Sequence, residues 1–115
     1  MKLHEVTFFT DKVDSAADFY ERLLNSKPSH REAGLAIFKI GDASILIHSR
    51  YDPAPDRLPC ENHVCFSVPD LDRAIAQLEE RGVTIEIPAR KYEWGRSAYL
   101  RDPAGQLLEL HECAK

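Results

Sequence analysis

HVCFSVPDLDRAIAQLEERG, residues 63–82, reads as a strand followed by a helix, and the chain carries a second version of it. HEVTFFTDKVDSAADFYERLL, residues 4–24, aligns with it. His4 meets His63 and Asp11 meets Asp70. After a one-residue gap, Asp14 meets Asp72, Ala16 meets Ala74 and Glu21 meets Glu79. The period of about 60 residues is longer than most solenoid repeats, and two copies are too few for an array. The reading that follows is a duplicated unit with pseudo-twofold pairing.

Each copy is followed by strand-like runs. Residues 3–9 alternate and are rich in Val, Phe and Thr, which predicts a strand. A helix follows, with Asp14 as its N-cap and an apolar stripe of Ala16, Phe19, Tyr20, Leu23 and Leu24. Short strands are expected around 28–32, 35–40 and 43–48, with Gly34 and Gly41-Asp42 as turns. Residues 49–62 hold Pro53, Pro55 and Pro59 and read as an extended linker. The second half gives a strand at 63–68 and a helix capped by Asp70 and ended by Gly82. Strands are then expected around 83–87, 96–101 and 106–111, with Asp102-Pro103-Ala104-Gly105 as the last turn. Each half is strand, helix, three strands. The expected fold is α+β, one domain over 1–115 made of two βαβββ modules, 1–48 and 63–115, with cupped mixed sheets.

Two pairs of residues stand at matched places in the two halves. His4 and His48 lie 44 residues apart, and His63 and Glu109 lie 46 apart. Each pair opens near the start of one strand-like run and closes near the end of another. Side chains alternate along a strand, so Glu109 shares a face with Leu107 and His111, while Leu108 and Leu110 face a helix. His63 shares a face with Cys65. Three imidazoles and one carboxylate at equivalent positions point to one metal site built from two halves. His111 is expected to face solvent at a strand end. Residues 89–95 read as a loop, flanked by Lys91, Arg96 and Arg101, able to act as a lid over an anionic substrate.

Composition narrows the class. At 115 residues the chain can bury one core, and 30% charged residues with 43% hydrophobic ones describe a globular protein. Net charge is -4 and the basic residues are scattered, which argues against nucleic acid. No apolar run has the length of a membrane span, and MKLHEVTFF does not resemble a signal peptide. Cys60, Cys65 and Cys113 are odd in number and form no C-x-x-C pair, which predicts reduced thiols and a cytoplasmic location.

HVCFSVPDLDRAIAQLEERGV and GRSAYLRDPAGQLLELHE, with its D-P-x-G turn and terminal E-L, resemble the vicinal-oxygen-chelate superfamily. That group includes glyoxalase I, extradiol dioxygenases, methylmalonyl-CoA epimerase, fosfomycin-resistance transferases and bleomycin-binding proteins. The resemblance spans essentially the whole chain. It implies metal ligands at His4, His48, His63 and Glu109, and a divalent ion such as Zn²⁺, Ni²⁺, Mn²⁺ or Fe²⁺. The ion would chelate adjacent oxygens of a small substrate, with Glu109 and His48 as proton-transfer groups. Glyoxalase I relatives carry glutamate where this chain has His48. Trp94, Arg96, Ser97, Tyr99 and Arg101 are the expected substrate-side residues, and Ser97 and Tyr99 resemble positions near the transferases' substrate. A glyoxalase-like lyase or isomerase acting on an oxygen-rich or thiol-conjugated metabolite, as a homodimer, is the leading expectation. The alternatives are an Fe²⁺-dependent ring-cleaving oxygenase, a fosfomycin-type thiol transferase and a non-catalytic bleomycin-type binder.

Overall fold

The computed structural model describes residues 1–52 and 58–113. Pro53 and Pro55 of the expected linker lie outside them. The elements run β1 (Lys2–Thr10), α1 (Val13–Leu24), β2 (His30–Glu32), β3 (Leu35–Ile40), β4 (Ala43–Ser49), β5 (His63–Val68), α2 (Leu71–Glu80), β6 (Ile87–Tyr92), β7 (Gly95–Arg101) and β8 (Leu107–Glu112). This is an α+β chain of two βαβββ modules. It divides into two compact units, one of residues 5–62 and one of residues 1–4 with 63–115. His4 therefore belongs with the second unit.

In the first unit the strands run in the order β2, β3, β4, β1. β1 and β4 are parallel, and β2–β3 and β3–β4 are antiparallel. The apolar stripe of α1 supplies Val13 and Ala17 to a core with Ala36, Phe38 and Ile47, packed by Tyr20 and Leu24. Asp14 is not the N-cap. The cap position is Lys12, whose side chain makes no capping bond, and Asp14 lies in the first turn. There its carboxylate pairs with Arg31, which also reaches Asp18 and Glu21. The helix thus gains its charge complement from β2 instead of from a cap.

The second unit repeats the plan in the order β5, β8, β7, β6, with β5 and β8 parallel and the rest antiparallel. Asp70 caps α2 by accepting a bond from the Arg73 amide at 3.1 Å. Gly82, at φ 83°, ends it, and the Gly82 amide bonds the Glu79 carbonyl. Leu108 and Leu110 face the helix, in a core with Leu71, Val68, Ala98 and Leu100. The expected strand at 83–87 is displaced. Val83 donates its amide to the Leu78 carbonyl and packs with Ile85 into this core, so their alternation reflects burial of a connection. The strand starts at Ile87 and runs through most of the expected 89–95 loop, pairing Arg90 with Ser97 and Tyr92 with Gly95. Pro88 sits where the register shifts, a place that tolerates a residue with no amide donor. Among the described residues, no helix is long and apolar enough to cross a membrane.

Candidate active site

β8 brings Glu109 into a row of polar side chains within the second unit. Its neighbours in register are Cys65 on β5 and Tyr99 on β7. Two residues along, on the same face, His111 stands opposite Ser97 on β7 and Ser67 on β5. Because β7 alternates, Ser97 and Tyr99 share the Glu109 face. Glu109 and His63 are buried polar groups, and Ser97 is completely enclosed.

Burial of a carboxylate is costly unless it is paired. Here both oxygens have partners. His63 Nε2 lies 3.1 Å from Glu109 Oε1, and the Ser97 hydroxyl donates to Glu109 Oε2 at 2.8 Å. Burial pushes the Glu109 pKa up, but the hydrogen bonds from His63 and Ser97 and the nearby His63 and His111 outweigh it. The net position is below the ordinary glutamate value, so Glu109 is ionised at neutral pH. Tyr99 is driven the other way. Burial first, then the Glu109 charge, Tyr92 and Cys65, hold its phenol far above the usual range. Its ring meets the His63 ring edge-on, with centroids 6.1 Å apart.

The network extends past Ser97. Trp94 Nε1 donates to Ser97 Oγ at 3.2 Å, and His111 Nδ1 lies 3.2 Å from the same oxygen. The half-exposed Trp94 ring stacks parallel on Tyr92 at 4.7 Å. The buried Tyr92 hydroxyl has no hydrogen-bond partner among the described residues. His4 stacks on His111, ring centroids 5.2 Å apart. His111 is therefore part-buried inside the cluster and not a solvent-facing strand end. Its pairing with Ser97 across β7 and β8 enclosed it, and no residue pattern in the sequence announces that pairing.

Arg96 and Arg101 are engaged elsewhere. Arg96 binds Asp72 at 3.0 Å and reaches Glu112, whose carboxylate also accepts the Leu71 amide. Arg101 binds Glu86 and the Gly105 carbonyl. His48 lies in the first unit, beside the rings of Phe9 and Tyr51. Its Nδ1 is 2.7 Å from the Ser49 carbonyl. A carbonyl only accepts, so Nδ1 is the donor of this bond.

Residues 2–110 match the sequence profile of the Glyoxalase/Bleomycin resistance protein/Dioxygenase superfamily. The chain belongs to this superfamily. Metallothiol transferase FosB of Shouchella clausii is 32% identical over 117 aligned positions, covering 95% of this chain and 78% of the relative. Among solved structures, a Streptomyces coelicolor methylmalonyl-CoA epimerase variant in complex with 2-nitronate-propionyl-CoA superposes with a TM-score of 0.74 at 22% identity. The alignment covers 100% of this chain and 99% of the epimerase. A hypothetical protein of Bacillus halodurans gives 0.76 at 19% identity, covering 99% of this chain and 95% of that one. These two likenesses establish the fold.

Metal-dependent enzymes occur in this superfamily, and the pair of His63 and Glu109 can be tested against that chemistry. Two ligands each about 2.0–2.2 Å from one tetrahedral Zn²⁺ ion stand roughly 3.3–3.6 Å apart. The His63 Nε2 to Glu109 Oε1 distance of 3.1 Å is that of a direct hydrogen bond, a few tenths of an ångström short of that spacing, and a mixed nitrogen and oxygen set suits a borderline divalent ion. Among the described residues, however, no three His, Cys, Asp or Glu side chains are gathered around one point. His4, the further ligand expected from the sequence, stacks its ring on His111.

Proposed function

We propose that the chain is a metal-dependent enzyme of glyoxalase-like, lyase or isomerase type, acting on a small oxygen-rich or thiol-conjugated metabolite. The buried pair of His63 and Glu109 is the observation that carries this reading, since an imidazole and a carboxylate are enclosed together 3.1 Å apart. The proposed ligands are His63, Glu109 and His4. His48 enters as fourth ligand or proton-transfer base on its place in the sequence alone. The ion, of Zn²⁺, Ni²⁺, Mn²⁺ or Fe²⁺ type, supplies Lewis-acid stabilisation of developing negative charge on a substrate oxygen. The chain's own part is positional. His63 and Ser97 hold Glu109 ionised and oriented, and Tyr99 stays a neutral phenol able to donate. Trp94, Ser97 and Tyr99 line the substrate side, while Arg96 and Arg101 are held in ion pairs with Asp72 and Glu86. A cytoplasmic homodimer belongs to the same reading.

Thiol transfer is the second reading. The FosB relative favours it, since it is similar over nearly the whole chain. Both readings are tested in one assay. Each metal-loaded form is given a hemithioacetal, or a low-molecular-weight thiol with an epoxide. Conversion of the hemithioacetal to a 2-hydroxyacyl thioester supports the first, and loss of free thiol together with epoxide supports the second. No turnover of either with any of the four metals contradicts both.

A further inference from the structure

We propose that Trp94, Ser97 and His111 form a hydrogen-bonded clamp that fixes the Glu109 carboxylate and transmits changes there to the exposed indole. The inference rests on Glu109 being the central carboxylate of the site. The proton count sets the direction of every bond. Ser97 has one hydroxyl proton, and the 2.8 Å contact gives it to the carboxylate, which can only accept. The indole N–H can only donate, so Ser97 accepts from Trp94. With the hydroxyl proton used, the 3.2 Å contact to His111 requires that Nδ1 of His111 carry the proton. Ser97 then donates once and accepts twice, which leaves its hydroxyl no alternative orientation.

Both donors into Ser97 are themselves held. The indole lies flat on Tyr92, the two planes within 1°. The His111 imidazole is packed between His4 and Gly95, where a Cβ would come within 3.1 Å of His111 Cε1. Gly95, at φ 121°, is the point where the backbone turns into β7. Ser97 is thus a positioning residue, acting through Glu109. Partners of this kind fix the orientation of a ligating carboxylate, and their loss typically weakens metal binding by about 10–100-fold.

Trp94 is the sole tryptophan of the chain, so its indole N–H gives one ¹H–¹⁵N cross-peak. The test compares metal-free full-length wild type, Glu109→Ala, Ser97→Ala and the double variant. Glu109→Ala is expected to shift the indole peak in the wild-type background and to leave it in place in the Ser97→Ala background. Ser97→Thr, which keeps the hydroxyl, is expected to restore the response. If Ser97→Ala does not fold, Ser97→Cys replaces it as the background. An indole peak that responds equally in both backgrounds, or in neither, overturns the clamp. A Zn²⁺ titration separates this proposal from the metal reading. Wild type that binds no Zn²⁺ contradicts the metal reading, and the clamp is still judged by the Glu109→Ala comparison. Wild type that binds Zn²⁺ with an unmoved indole contradicts the clamp alone. If both hold, Ser97→Ala binds Zn²⁺ about tenfold more weakly or worse.

Discussion

Tyr99 is the residue whose environment has the plainest consequence for pH. Its folded pKa lies far above the unfolded value near 10, chiefly through burial and then through the Glu109 charge. Stability from this group is therefore complete below about pH 10 and is lost as pH rises further, because the unfolded chain releases a proton that the folded one keeps. The slope is at most about 1.4 kcal/mol per pH unit. Tyr99→Phe is expected to flatten the fall of the urea midpoint between pH 10 and 11, with a pH-independent offset below. An unchanged slope contradicts the assigned burial of the phenol. The matched positions of His63 and Glu109 were legible from the repeat, and strand alternation put Glu109 on the correct face, opposite Leu108 and Leu110. His111 was not, because its enclosure comes from a cross-strand neighbour and from the absence of a side chain at Gly95. Those are properties of pairing, and periodicity along one strand does not contain them.

The two helices start differently, and the difference is measurable. Asp70 makes a capping bond, whereas Asp14 sits one position inside its helix and makes a surface pair with Arg31. Asp70→Ala is expected to cost about 1 kcal/mol in urea unfolding, within the usual range for a lost cap. Asp14→Ala should cost less, since exposed ion pairs contribute about 0–1 kcal/mol. Equal losses would contradict the assigned caps. At the head of β7, Gly95→Ala places a side chain at a left-handed φ and against the His111 ring. A loss on the order of 1–3 kcal/mol is expected, with the Trp94 indole signal displaced; a neutral substitution would show that His111 is not packed there. Asp14 offered a cap to the sequence, and only the folded geometry shows it as a first-turn charge. The register of β6 was hidden for a related reason. Val83 and Ile85 alternate like a strand but spend their apolar faces on the α2 core, while Pro88 looks like a break and sits inside the strand.

At the scale of the molecule, duplication explains why so much could be read from the chain. Two βαβββ modules repeat the same strand pairing, so His4 and His63 could be matched from the sequence; Glu109 pairs with Cys65, two residues past His63, whereas His48 pairs with Phe9, five residues past His4. The sequence did not reveal how the side chains are arranged around Glu109. In the second unit they form a relay from indole to imidazole, with His4 stacked at its end. His63 and Glu109 are proposed as ligands of one divalent ion. The most direct test is transition-metal content per chain, measured on untagged protein purified without chelator and after reconstitution with Zn²⁺, Ni²⁺, Mn²⁺ or Fe²⁺. A double variant, His63→Ala with Glu109→Ala, is measured beside it. Near-stoichiometric metal in the wild type and none in the variant is the predicted result. Wild type that takes up no metal, or a variant that keeps it, would contradict the account.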